Sequence, residues 1–106
     1  METNRSLRTV VDQYHFTKVI FSVDGEPKVI GRLLDISDFG FCITIKEMIS
    51  EFEIGDRGLL SLEKGGSVIK MPVTVKWVDS LDSTLRCMGL HSKYNLTFSE
   101  LGSYIK

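Results

Sequence analysis

A six-residue run, Asp35-Ile36-Ser37-Asp38-Phe39-Gly40, gathers side chains suited to holding a polar, planar ligand. A carboxylate at Asp35 accepts hydrogen bonds from paired N–H donors such as N1 and N2 of guanine, and the Ser37 hydroxyl both gives and receives. Gly40, without a Cβ, admits a close backbone approach or a positive φ. Upstream, Arg5 and Arg8 add two guanidinium groups, whose planar forks bond phosphate oxygens bidentately and pair with O6 and N7 of guanine or stack on the base. The bland reading of Asp-x-Ser-x-x-Gly is a simple turn, because Asp and Ser bond their own backbone and Gly relaxes the bend. The two roles are compatible at Asp35 and Ser37.

Other chemistries find little support. Asp38-Phe39-Gly40 spells the metal-binding tripeptide of kinases, but 106 residues leave no space for the glycine-rich loop, strand lysine and catalytic loop that give it that role. His15 and His91 are far apart and have no ligand-spaced partners, which makes surface or strand positions their default. Cys42 and Cys87 lie in apolar runs without CxxC spacing, as buried free thiols do. Glu47, Glu51 and Glu53 read as a solvated face. No nucleophile with its base, no metal set and no phosphate loop emerges, so neither an enzyme nor a bound cofactor is expected. Thirteen Lys and Arg against fourteen Asp and Glu give a formal net charge of −1, which supplies no global attraction to DNA or RNA. An anionic ligand must be held by a local cluster.

The elements that position these residues are short and extended. Residues 1–13 are polar, carry Arg5 and Arg8, and read as an arm before a domain over 14–106. FTKVIFSV, a turn over Asp24 to Pro27, and KVIGRLLDI make a hairpin, and FCITI follows the Asp35–Gly40 run as a third strand. In KEMISEFEIGD, Met48, Ile49 and Phe52 fall at i, i+1 and i+4, the spacing of one or two helical turns closed by Gly55. GLLSLE, Lys64-Gly65-Gly66 and SVIKMPVTVKWV read as a second hairpin. Pro72 marks an edge, bulge or bend there, because proline cannot donate to a central ladder. Alternation through Thr74 to Val78 assigns Trp77 to core or wall packing rather than to stacking on a base. Gly89 marks a bulge or a close approach of ligand. A last strand covers Thr84 to Leu90, and Thr97 with Glu100 forms a capping box for a short C-terminal helix. Six short strands with one late helix predict an all-β, closed or nearly closed antiparallel barrel.

Taken together, these features resemble the PilZ domain family. Asp35-Ile36-Ser37-Asp38-Phe39-Gly40 matches its [D/N]xSxxG motif at every fixed position. The order of an arginine pair, a hairpin, DISDFG, a Gly55-Asp56 step, VTVKWV and CMGLHS follows the family over nearly the whole chain. The resemblance implies a six-stranded barrel with a C-terminal helix, and a receptor that binds the bacterial second messenger cyclic di-GMP without catalysis. The site residues it implies are Arg5, Arg8, Asp35, Ser37 and Gly40. The family's RxxxR motif is matched imperfectly: Arg5 and Arg8 are three apart, and Asn4 stands where the first arginine would be if Arg8 is the second. In an extended arm, residues three apart face opposite ways, so a local turn is needed to aim both.

Three functions are distinguished by this reading. The first is a cyclic di-GMP receptor whose arm orders over the turn and relays the signal to an effector protein. The second, motivated by the shortened arginine spacing, is a degenerate PilZ barrel that binds no nucleotide and works as a protein-interaction adaptor. The third, an OB-like binder of single-stranded nucleic acid, is disfavoured by the net charge and by the lack of an interleaved basic and aromatic stripe. The N-terminal stretch lacks the apolar core of a signal peptide, and no apolar run approaches a membrane span, which implies the cytoplasm. Monomer or dimer is open.

Overall fold

A computed structural model describes residues 9–12, 15–80, 85–99 and 101–104. The strands are β1 (Thr9–Val10), β2 (Lys18–Val23), β3 (Glu26–Ile36), β4 (Gly40–Met48), β5 (Arg57–Lys64), β6 (Ser67–Ser80) and β7 (Arg86–Ser92). All pairings are antiparallel. Strands β3-β2-β5-β6-β7-β4 form a sheet that the β3–β4 pairing closes into a six-stranded barrel, with β1 added on β3. Closure leaves the barrel without a long unpaired edge.

Two hairpin turns fix the local register. Asp24 and Gly25 have φ of 53° and 80°, and Gly65 and Gly66 have 58° and 85°. A pair of positive φ values defines the tight two-residue turn whose twist matches that of the strands, and it demands Gly, Asn or Asp. Glu26 and Pro27 therefore already belong to β3. Pro72 lies within β6 opposite Leu59, but the β7 ladder begins only at Val73. Its missing N–H thus costs no bond on the β7 side.

The core follows the period of two. Val19 and Phe21, Val29 and Leu33, Phe41 and Ile43, Leu60 and Leu62, Val73 and Val75, and Met88 and Leu90 all point inward. Val11, Phe16, Leu96 and Leu101 join the same cluster from outside the six barrel strands. Within the segment read as an arm, β1 pairs Thr9 with Ile36 and Val10 with Asp35, and the Val11 N–H donates to the Leu34 carbonyl at 2.9 Å.

Bulges break this period at two places that matter for function. On β3, Leu33 opposes Ile43 and Asp35 opposes Cys42, so Leu34 is the extra residue. On β6, Val75 opposes Leu90 and Trp77 opposes Gly89, which makes Lys76 the extra residue. An inserted residue reverses the facing of everything after it. Asp35 and Trp77 thereby turn outward, while Ile36 and Val78 turn toward the core.

The helical turns expected over Lys46 to Asp56 do not form. β4 continues through Met48, and the Ile49 N–H then donates to the Lys28 carbonyl at 2.8 Å. Met48 and Ile49 are left exposed, and only Phe52 of the three packs against the core. Phe52 packs edge-on against Phe21, with ring centroids 6.0 Å apart. Gly55, at φ 98°, turns the chain into β5, and the Asp56 carboxylate accepts from the Glu53 N–H at 2.8 Å. At the C-terminus the short helix takes the form of two 3-10 turns, Leu96–Phe98 and Gly102–Tyr104. The Asn95 side chain caps the first by accepting from the Thr97 N–H at 2.9 Å.

Candidate functional site

The DISDFG run spans the end of β3, a three-residue connection and the first residue of β4. Ser37 is 5% exposed, and its N–H donates to the Gly40 carbonyl at 2.9 Å, closing the turn. Two further bonds tie the turn to the end of the chain. The Phe39 carbonyl accepts from Ser92 N–H at 2.8 Å, and the Asp38 carbonyl accepts from Leu96 N–H at 2.6 Å. The ring of Phe39 stacks on that of His91, 6.1 Å between centroids and 15° from parallel. A turn closed on itself and held by two neighbouring segments is a rigid platform, which suits the presentation of binding groups. One carboxylate oxygen of Asp38 is buried and has no hydrogen-bond partner among the described residues. A buried acceptor left unpaired is costly, and an arriving donor would relieve it.

Of the residues singled out in the sequence, Asp35, Ser37 and Gly40 are brought together by this turn. Asp35 is half-buried, Ser37 and Gly40 are buried. Arg5, Arg8 and Asn4 lie outside the described residues. Thr9, next in the chain after Arg8, pairs with Ile36 of the turn's first strand.

Two rows of ladder partners cross the outer face of the barrel from this turn. The first runs Asp35, Cys42, Gly89, Trp77. The second runs Gly40, His91, Thr74, Arg57. Partners directly opposite one another share a face of the sheet, with neighbouring strands ~4.8 Å apart. The indole of Trp77, 37% exposed, occupies the space that a Cβ on Gly89 would need. Gly89 is therefore a close-approach glycine whose partner is Trp77.

Cys42 and Cys87 are both buried and free, and they share a side-chain hydrogen bond across the β4–β7 ladder. Neither belongs to the interior cluster. Burial raises the Cys87 thiol above its ordinary value, the hydrogen bond from Cys42 pulls it back, and the nearby carboxylates of Asp79 and Asp35 push it up again.

Sequence reasoning missed His91 and the outward setting of Trp77. The pairing of Gly40 with His91 joins residues from distant parts of the chain, and strand register leaves no local signal of it. The outward turn of Trp77 depends on a bulge that the alternation of Thr74 to Val78 conceals. Among the described residues, no helix is long and apolar enough to cross a membrane, and no group of three or more His, Cys, Asp and Glu is placed to hold a metal ion.

Comparison with known proteins agrees with this architecture. The structure is similar to the PilZ domain with c-di-GMP of YcgR from Escherichia coli, with a TM-score of 0.69 at 13% sequence identity, covering 97% of this chain and 86% of that one. A search of curated protein sequences finds no match. The family model for the PilZ domain matches residues 2–105. With that match running nearly end to end, and with the closed six-stranded barrel carrying DISDFG at its surface, the chain belongs to the PilZ domain family.

Proposed function

We propose that this domain is a non-catalytic receptor for cyclic di-GMP, held by the DISDFG turn together with Arg5 and Arg8, and that binding alters the surface offered to an effector protein. The observation that carries the reading is the outer row from Asp35 to Trp77. It sets a carboxylate able to accept from a guanine edge and an indole face able to stack on a base at the two ends of one row, with Gly89 between them. The rigid turn, with Ser37 and Gly40 beside Asp35, supports it further. So does the similarity of fold to the PilZ domain with c-di-GMP of YcgR. β1 brings the chain that follows Arg8 onto the strand that carries Asp35, which favours a role for that arginine in closing over the ligand.

Calorimetric titration of cyclic di-GMP into the protein, with GTP as control, tests the proposal. Saturable binding that is weakened at least about tenfold by Arg8→Ala and by Asp35→Ala is expected, as befits the loss of charge-assisted hydrogen bonds. Equal affinity in both variants sinks the residue assignment. Absence of heat at high micromolar ligand overturns the receptor reading in favour of the adaptor that Asn4, in place of a first arginine, would suggest.

A further inference from the structure

Beside the DISDFG turn, a cleft of about 420 Å³ opens between β5, β6 and β7. Its lining includes Arg57, Thr74, His91 and Lys93, and among the described residues no carboxylate lines it. The cleft lies on the second outer row, in which Gly40 is followed by His91, Thr74 and Arg57. His91 belongs to both places, since it lines the cleft and its ring stacks on Phe39 of the turn. We propose that this cleft is a second phosphate subsite, in which Arg57, Lys93, His91 and Thr74 receive a phosphodiester of the nucleotide whose base is held at the Asp35–Gly40 turn.

The chemistry is that of a phosphoryl oxyanion. Arg57 offers a planar fork for bidentate bonding, Lys93 a point charge, and His91 and Thr74 an N–H and an O–H donor. Lys93 lies 6.0 Å from the centroid of the Tyr94 ring, which limits the ammonium's wandering. The volume falls within the range of small-ligand clefts and exceeds what one phosphate fills, leaving space for the attached sugar. Thr74 is two ladder steps from Gly40, ~10 Å at the spacing of adjacent strands. A guanine, its ribose and its phosphate bridge such a span. Arg57 also borders a hollow on its other side, with Lys70, Ser22 and Asp24. The carboxylate of Asp24 makes that hollow the poorer home for an anion. The subsite supplies an electrostatic grip independent of the N-terminal arm, where Asn4 replaces an arginine.

This inference rests on the cyclic di-GMP reading, and two titrations separate their failures. The first follows backbone amide resonances of the labelled protein as inorganic pyrophosphate is added. Shifts at Thr74, His91 and Lys93 are expected, and their abolition in Arg57→Gln/Lys93→Gln. No shift at those amides in the parent protein overturns the subsite, whatever the nucleotide does. The second compares cyclic di-GMP affinity of the parent and the double variant by calorimetry. A loss of about tenfold or more supports the subsite. Undiminished affinity in the variant overturns it while leaving the receptor reading intact. Shifts with pyrophosphate but no cyclic di-GMP binding to the parent protein overturn the receptor reading, and with it the assignment of this cleft to that nucleotide.

Discussion

Asp35 on β3 and Trp77 on β6 stand at the two ends of one row of ladder partners, and each faces outward because a bulge directly precedes it. Without Leu34 as an extra residue, Asp35 would share the inward face of Leu33. Were Lys76 a regular ladder residue rather than the extra one, Trp77 would follow Val75 into the core. The outer binding face is thus made by two departures from strand regularity, in keeping with the habit of bulges to re-aim side chains at functional sites.

The close approach of Trp77 to Gly89 gives a direct test. A Cβ at residue 89 collides with the indole, so Gly89→Ala must displace the ring or strain the β6–β7 ladder. Trp77 is the single tryptophan of the chain. Its fluorescence emission is expected to shift in the variant, and urea denaturation should show a loss of ~1–3 kcal/mol, the usual cost of overpacking. Unchanged emission and stability would contradict the packing described.

Phe41 is fully buried and immediately follows Gly40, which links the turn to the core. Phe41→Ala is expected to cost ~3–5 kcal/mol in denaturant unfolding, from lost burial plus the cavity left behind. For a domain of ordinary marginal stability that removes a large share of the total. A change below ~1 kcal/mol would mean that this ring is not a core residue.

The pair of buried thiols predicts an alkaline limb in the stability profile. Folding raises the Cys87 value above the ordinary 9.0, chiefly by desolvation. In the unfolded chain the thiol ionises at its ordinary value, so the folded state keeps this group's full contribution below that pH and loses it as pH rises through the folded value. Denaturant midpoints in the parent protein are expected to fall above about pH 9, and to fall less steeply in Cys87→Ala. A neutral-pH thiol reagent should label native Cys42 and Cys87 at least about tenfold more slowly than the unfolded protein. Equal labelling rates would show that the thiols are not covered.

Asn95 caps the 3-10 turn whose Leu96 N–H reaches the carbonyl of Asp38. Asn95→Ala is expected to cost ~1 kcal/mol, in line with other lost caps. The same variant should quicken hydrogen exchange at the Leu96 amide, because that bond anchors the turn. Exchange at Leu96 matching the parent protein would show that the turn stands without its cap.

Much of this molecule is legible in its sequence, because strand periodicity, turn chemistry and a fixed-spacing motif are local properties. Runs of β-branched and aromatic residues identified the barrel strands, Gly65-Gly66 and a turn signal over Asp24 to Pro27 the hairpins, and DISDFG the turn that gathers Asp35, Ser37 and Gly40. Where local pattern is ambiguous, tertiary burial decided. Met48, Ile49 and Phe52 have helical spacing, yet β4 runs on through Met48, the Lys28 carbonyl takes the Ile49 N–H, and Phe52 alone of the three packs against the core. Two further matters belong to the closed sheet alone. A bulge is one residue too many relative to a partner strand, so nothing in Val75-Lys76-Trp77 reveals that Trp77 faces out until Leu90 and Gly89 are beside it. Likewise Gly40, His91, Thr74 and Arg57 become neighbours only when four strands take register, because side chains that share a face across a sheet are chosen by pairing rather than by their distance along the chain.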